Sequence, residues 1–369
     1  MILIILTVAF LLIILAVVSR ELGKKNVAIW ILPYIHSVLG GREKPRAGKT
    51  VHVYFCFVDH FEPMWNKADI AAERSRVEKW TRDYPLLAAR HRDSDGKPPQ
   101  HTFFFPQEEY RAEHLTALKE LCSKGFGDVE VHLHHDNDTS DGLRKKLLDF
   151  CAVLDSHGFL KNENGKISYA FIHGNWALDN SRPDGRWCGV NDELKILKET
   201  GCYADFTLPS APSDTQTSKI NSIYYAVDDI RKPKSHDSGV DVQAGRAPSG
   251  DLMIIQGPLA LNWKNRKWGI LPRIENGEIT HDNPPSPDRI DLWIRQHIHV
   301  KGRSDVVFVK VHTHGCQEND FETLLGDPAD KMYSYLEKRY NDGRHYQLHY
   351  VTARQMFEKI KELEGNTNG

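Results

Sequence analysis

Apolar residues fall along this chain in two alternating rhythms. Val51–Val58 (VHVYFCFV), Thr102–Phe105, Val129–Leu133, Ser168–Ile172, Tyr203–Leu208 and Asp305–Val311 are short runs rich in β-branched and aromatic residues. That composition predicts buried strands. Ala68–Arg90, Ala112–Cys122, Leu143–Leu154 and Asp192–Glu199 carry apolar residues at helical spacing, as at Leu143, Leu147, Cys151 and Leu154. Thr352 and Gln355 match a capping box ahead of a last helix over Ala353–Leu363. Strand and helix alternate regularly, which predicts an α/β fold with a parallel sheet or barrel. One stretch, about 210–287, breaks the rhythm with Pro, Gly, Asp and Ser. It holds a strand-like Leu252–Gln256 and a hairpin signal, Asn276-Gly277, flanked by Arg273-Ile274 and Glu278-Ile279. It is expected to be an insertion over the sheet within a domain spanning 51–369.

The N-terminal pattern is different. Met1 to Val18 is apolar except for Thr7, enough at about 1.5 Å per residue to cross a ~30 Å hydrocarbon core. No Lys or Arg precedes Arg20, so residues 1–19 read as an uncleaved transmembrane anchor rather than a signal peptide. Arg20, Lys24, Lys25, Arg42, Lys44, Arg46 and Lys49 all follow it, which places the large domain in the cytoplasm, on a single-pass membrane protein. Residues 20–50 read as an interfacial segment and linker. Val27 to Leu39 is apolar but broken by Pro33, suited to lie at the membrane surface or to pack on the domain.

The net charge of -2 excludes the strong basic excess of a nucleic-acid binder. The six cysteines are scattered without a CxxC pair, which argues against a zinc ribbon or a dense disulfide framework. The 19 histidines, in contrast, cluster. In parallel α/β folds functional side chains sit just beyond the carboxyl ends of strands. Here five strand ends carry Asp, His or Asn: Asp59-His60-Phe61-Glu62, His132-Leu133-His134-His135-Asp136, His173-Gly174-Asn175-Trp176, Asp205-Phe206 and His312-Thr313-His314. His132 and His134, two apart, share a face, and Asp136 continues the spacing. Imidazole with carboxylate suits zinc and similar ions, and a catalytic zinc takes about three protein ligands. Asp59, His60, His132, His134, His135 and Asp136 offer more than that, so the ligand set stays open.

The order of these motifs resembles the polysaccharide deacetylase (NodB-like, carbohydrate esterase) superfamily over about Val51 to Val351. The family's Asp-Asp motif is matched by Asp59-His60. Its pair of histidines four apart is matched by His132, with Asp136 at the fourth position and His134 and His135 between. Its groove motif corresponds to His173-Gly174-Asn175-Trp176, without the usual arginine. Its Asp-aromatic motif corresponds to Asp205-Phe206, and its late strand-end histidine to Val311-His312, with His314 nearby. The resemblance implies a distorted (β/α) barrel of about seven strands and metal-dependent N-deacetylation of a saccharide, free or lipid-linked. It implies Asp59 as base and His312 or His314 as acid. It implies His60, His132, His134 and Asp136 around a divalent ion, zinc or one that prefers more carboxylate. His173, Asn175, Trp176, Asp205 and Phe206 would then contact substrate. Asp59 as ligand with Glu62 as base is the alternative assignment. Two other functions remain open: a glycoside hydrolase drawing its two carboxylates from Asp59, Glu62, Asp136 and Asp205, and a carbohydrate-binding protein with a degenerate site.

Overall fold

A computed structural model describes residues 17, 19–41, 43, 48–160 and 165–365. Its twelve strands among these residues are β1 (Val51–His60), β2 (His101–Pro106), β3 (Gly127–Leu133), β4 (Tyr169–His173), β5 (Cys202–Asp205), β6 (Ile223–Ala226), β7 (Val240–Asp241), β8 (Leu252–Ile255), β9 (Ala260–Lys267), β10 (Leu271–Glu275), β11 (Val306–Thr313) and β12 (Tyr346–Val351). Ten of them form one sheet in the order β11-β1-β2-β3-β4-β5-β8-β6-β7, with β12 also on β1. Every pairing from β11 to β8 is parallel, and β6 runs antiparallel to β8 and β7. β1 is the centre: β11 lines one edge over its length, while β12 and β2 share the other.

Strands of a sheet covered on both faces read as continuous apolar runs, and β1 shows why. Phe55 and Phe57 enter one core with Val77, Trp80, Leu118, Leu147 and Tyr333 from the surrounding helices. Cys56 and Val58 enter a second core with Phe104, Ile172, Phe206 and Met356. The helix Ile70–Ala88 starts where Asp69 accepts the amide of Ala72 at 2.9 Å, and Ser140–Ser156 where Thr139 caps Gly142 at 3.1 Å. The last helix, Ala353–Gly365, closes the second core with Met356, Ile360 and Leu363, each contributing roughly 1.5–3 kcal/mol by burial.

Three expectations need correction. The strand ladder has two free ends among the described residues, so pairing does not close a seven-stranded barrel. Among the described residues the outer edge of β11 meets only an isolated bridge from Glu278 to His312 and a bond from Phe308 to Ile298. The stretch 210–287 is not simply laid over the sheet, because β6, β7 and β8 are part of it; only β9 and β10 stand apart as a hairpin. That hairpin turns at Gly269, φ 71°, rather than at Asn276-Gly277, where the chain leaves β10 for the β11 edge.

Apart from residues 17 and 19, the expected anchor lies outside the described residues. No helix among those described is long and apolar enough to cross a membrane. Within the interfacial segment, Ile31–Leu39 forms a helix, since Pro33 falls in its first turn, where a missing amide is tolerated. Trp30 is buried with Ala211 and Leu259.

Candidate metal centre

Strand alternation sorts the polar strand ends onto two faces. Val58 belongs to the second core, so His60, two residues on, points the same way. In register, His312 lies beside Val58 and His132 beside Ile172, both on that face. The ring of His60 lies 4.8 Å from His132, 4.6 Å from His314 and 6.4 Å from His312. The turn Phe61-Glu62-Pro63 brings Glu62 back over the cluster, with Oε1 at 3.3 Å from His132 Nε2 and 3.2 Å from His134 Nε2. His60, Glu62 and His132 each present a ligand atom, all within 4.8 Å of one another.

The hydrogen bonds prepare these groups for a cation. His132 Nδ1 is 3.0 Å from the carbonyl of Ile172, which only accepts, so Nδ1 carries the proton and the Nε2 lone pair faces Glu62. His60 Nδ1 is buried with no hydrogen-bond partner. Burial holds His60 well below its ordinary pKa and also lowers His132, favouring the neutral, ligating form. Burial pushes the Glu62 carboxyl up, but the imidazoles of His132 and His134 beside it outweigh burial and hold the group well below the usual range. Two neutral imidazoles and an ionised carboxylate suit zinc or a similar divalent ion.

Glu62 joins the cluster to a cavity of ≈ 330 Å³ that is lined also by His134, Trp65, Asn175, Trp176 and Trp187, while His60 and His132 stay buried outside its lining. Trp176 (φ 62°) and Trp187 (φ 69°) hold left-handed backbone that costs a non-glycine residue about 1–3 kcal/mol. The Trp176 ring is fixed against His60 at 4.7 Å and His312 at 5.2 Å, and the Trp187 ring lies under the Arg182 guanidinium at 4.4 Å. Gly174 supports His134 so closely that a Cβ there would lie 2.4 Å from His134 Cδ2.

Of the residues expected from sequence, His60, His132, His134, Asn175, Trp176, His312 and His314 are brought together here. His134 takes a different part from the ligand expected. It bridges Glu62 and Glu108; burial lowers its pKa, but these two carboxylates raise it to about 10. His312 is buried behind Trp176, while His314 reaches the cavity.

Five residues are placed elsewhere, for reasons of parity or packing. Asp59 turns with Phe57 to the helix-covered face, where it meets His101 Nε2 at 2.9 Å and accepts the amide of Gly315 at 2.6 Å. His173 also faces that way. Asp205 is closed on Thr207, and burial raises its pKa to about 7. Phe206 is core, 6.0 Å from Phe104. Asp136 accepts the amide of Trp187 and so serves the loop rather than the cluster.

No protein-family model and no curated protein matches the sequence. Among solved structures the chain is similar to an α-mannosidase from Enterococcus faecalis V583, with 10% identity, 85% of this chain and 29% of that chain covered, and a TM-score of 0.43. It is similar to the Xyl-CE4 domain of a multidomain xylanase from the hindgut metagenome of Trinervitermes trinervoides, with 10% identity, coverage of 85% and 92%, and a TM-score of 0.37. It is also similar to a Parabacteroides distasonis protein provisionally described as a glycoside hydrolase/deacetylase, with 13% identity, coverage of 87% and 72%, and a TM-score of 0.44. Likenesses at this level carry no activity over to the chain, whose chemistry is read from its own side chains.

Sequence reasoning passed over Glu109. It follows β2 and lines the cavity, and Oε2 accepts the amide of Met64 at 2.6 Å. Burial, with Glu62 and Glu108 nearby, raises its carboxyl to about 7. Its signal in the sequence is the pair Glu108-Glu109 just past the end of β2.

Proposed function

We propose that the chain is a metal-dependent hydrolase that removes the acetyl group from an N-acetylated saccharide. The observation that carries this reading is the convergence of His60, Glu62 and His132, with Glu62 lining a tryptophan-walled cavity and the two histidines buried beside it. A divalent ion held by these three, zinc by its donor set, supplies Lewis acidity toward an amide carbonyl and lowers the pKa of nearby water. The other residues have distinct tasks. Glu109, whose carboxyl is poised near neutrality, takes the proton of the attacking water. His314, on the cavity wall, hands a proton to the departing amine. Trp176 and Trp187 offer aromatic faces to a sugar ring, and Asn175 a hydrogen-bonding amide. His134 holds Glu62 in place from the side.

One observation favours a second reading. Glu62 is held ionised while Glu109 keeps a proton near neutral pH, the division of roles a glycoside hydrolase needs. Two products separate them. Incubation with N-acetylated oligosaccharides should release acetate without new reducing ends. New reducing ends without acetate would replace the deacetylase by a glycosidase, and tight binding without either product would leave a carbohydrate-binding protein.

The reading includes a membrane anchor at residues 1–19, with the domain on the cytoplasmic side, and a saccharide that is lipid-linked. Leu32, Ile35, Val38 and Leu39 are exposed on one helix, as are Trp263, Trp268 and Ile270 on the β9–β10 hairpin. Glu21 and Lys267, 2.6 Å apart, tie the N-terminal segment to that hairpin. Aromatic and aliphatic side chains beside basic ones suit a lipid interface. Sedimentation of the full chain with vesicles tests it.

A further inference from the structure

The parity that turns His132 and His134 to one face gives His135 to the opposite one. There it meets His173, which follows Phe171 on the helix-covered side, with ring centroids 4.7 Å apart. Cys188 comes to the same place from the loop after β4, and Glu193 from the start of the helix Glu193–Glu199. All four side chains are buried, and each offers a donor atom within 4.8 Å of the other three. Tetrahedral zinc bonds of ~2.0–2.3 Å set donors roughly 3.3–3.8 Å apart, so about an ångström of adjustment completes such a site.

The contacts within the group are those of donors facing one another. His135 Nδ1 lies 3.3 Å from Asp138 Oδ2, a carboxylate that Lys146 holds at 2.7 Å. His135 Nε2 then faces Glu193 Oε1 at 3.2 Å. A carboxylate behind a ligating histidine is the usual support for a bound metal. Cys188 Sγ is 3.3 Å from Glu193 Oε2 and receives the amide of Asn180 at 3.3 Å. His173 Nε2 is buried without a hydrogen-bond partner, and its Nδ1 is 3.2 Å from the amide of Asn175. An ion pair of His135 with its two carboxylates leaves the buried His173 Nε2 without a partner; a fourfold donor set supplies one.

The place also needs a cross-link. The segment 174–191 holds no strand, and Trp176, Asp179, Asn180 and Trp187 in it all have left-handed backbone. It supplies Gly174, Asn175, Trp176 and Trp187 to the cavity. His173 and Glu193 flank it on either side, and Cys188 lies within it.

We propose that His135, His173, Cys188 and Glu193 form a closed structural site for zinc or a similar divalent ion, separate from the cavity cluster, which staples the tryptophan-bearing loop to the ends of β3 and β4. A site sealed on four protein ligands is structural rather than catalytic. The inference does not rest on the deacetylase reading, and sulfur tells the two sites apart, since the cavity cluster has no thiol.

The test is X-ray absorption at the metal edge of the full-length, zinc-loaded protein, with cobalt replacement to reveal thiolate-to-metal charge-transfer absorption. The wild type should show one sulfur neighbour per chain at ~2.3 Å, averaged over the bound ions. His132→Ala should keep that signal, while Cys188→Ser should lose it together with one ion per chain. A wild type without a sulfur neighbour after reconstitution would overturn the proposal even if Cys188→Ser fails to fold. So would a sulfur signal that survives Cys188→Ser. Metal that is lost in His132→Ala and never shows sulfur would leave the cavity site standing alone.

Discussion

The amide of Gly315 donates to the carboxylate of Asp59 at 2.6 Å, and through that bond the end of β1 fixes the turn that follows His314. Trp80 Nε1 donates to the carbonyl of the same glycine at 2.7 Å, so Gly315 is held from both sides. A Cβ at Gly315 would lie 2.0 Å from Asp59 Oδ2, so the approach is open only to glycine. Asp59 is thus a positioning residue for His314, and it stands on the face away from the cavity.

That placement separates two substitutions. Asp59→Asn keeps an oxygen for the Gly315 amide and can pair with the other tautomer of His101, so its turnover should stay within about tenfold of wild type. Asp59→Ala strands buried polar groups and should lower stability by about 1–3 kcal/mol for each. A base would behave otherwise, because removing its charge costs about 10²–10⁴ in rate. Steady-state kinetics of Asp59→Asn decides between the two roles.

Glu109 sets the acid limb of the pH profile. A general base works only when ionised, and burial raises this carboxyl to about 7. The value of kcat/KM should therefore rise with pH up to about 7 and level off above it. Glu109→Gln should remove that limb and lower the plateau by about 10²–10⁴. A limb that persists unchanged in Glu109→Gln would assign it to another group.

The turn against the edge of β11 depends on a buried ion pair. Arg289 donates to Glu275 through Nε and Nη2, both at 2.8 Å, and Trp293 Nε1 adds a bond at 2.9 Å. Removing one partner leaves a buried charge uncompensated, so Glu275→Ala should destabilise the fold by about 3–5 kcal/mol. Arg289→Lys should recover little of this, because an ammonium cannot match the two-pronged geometry. Denaturant unfolding measures both.

Much of this arrangement was legible in the sequence, and what was missed has physical causes. The parallel core strands announce themselves because both faces are buried, and His60, His132 and His312 stand out by their position at strand ends. Period-two alternation separates Asp59 from His60, a distinction lost when two adjacent residues are read as one motif. Glu62 and Glu109 reach the cavity through turns, whose direction no periodicity records. Cys188 gave no signal, because its partners are distant in sequence and follow no ligand spacing. β12 (YQLHYV) was passed over because His349 and Gln347 interrupt its apolar run, although it pairs with β1 along half its length. Whether the sheet closes depends on edges brought together only by the tertiary fold.

The most direct test is to measure acetate release and bound metal together, comparing wild type with the double variant Glu62→Gln/His132→Ala. The account predicts that the variant binds one ion per chain fewer than wild type, keeps any sulfur-ligated ion, and loses at least about 10² in acetate release. Equal metal content in the two proteins, or acetate release that survives both the variant and a chelator, would contradict a metal centre at His60, Glu62 and His132.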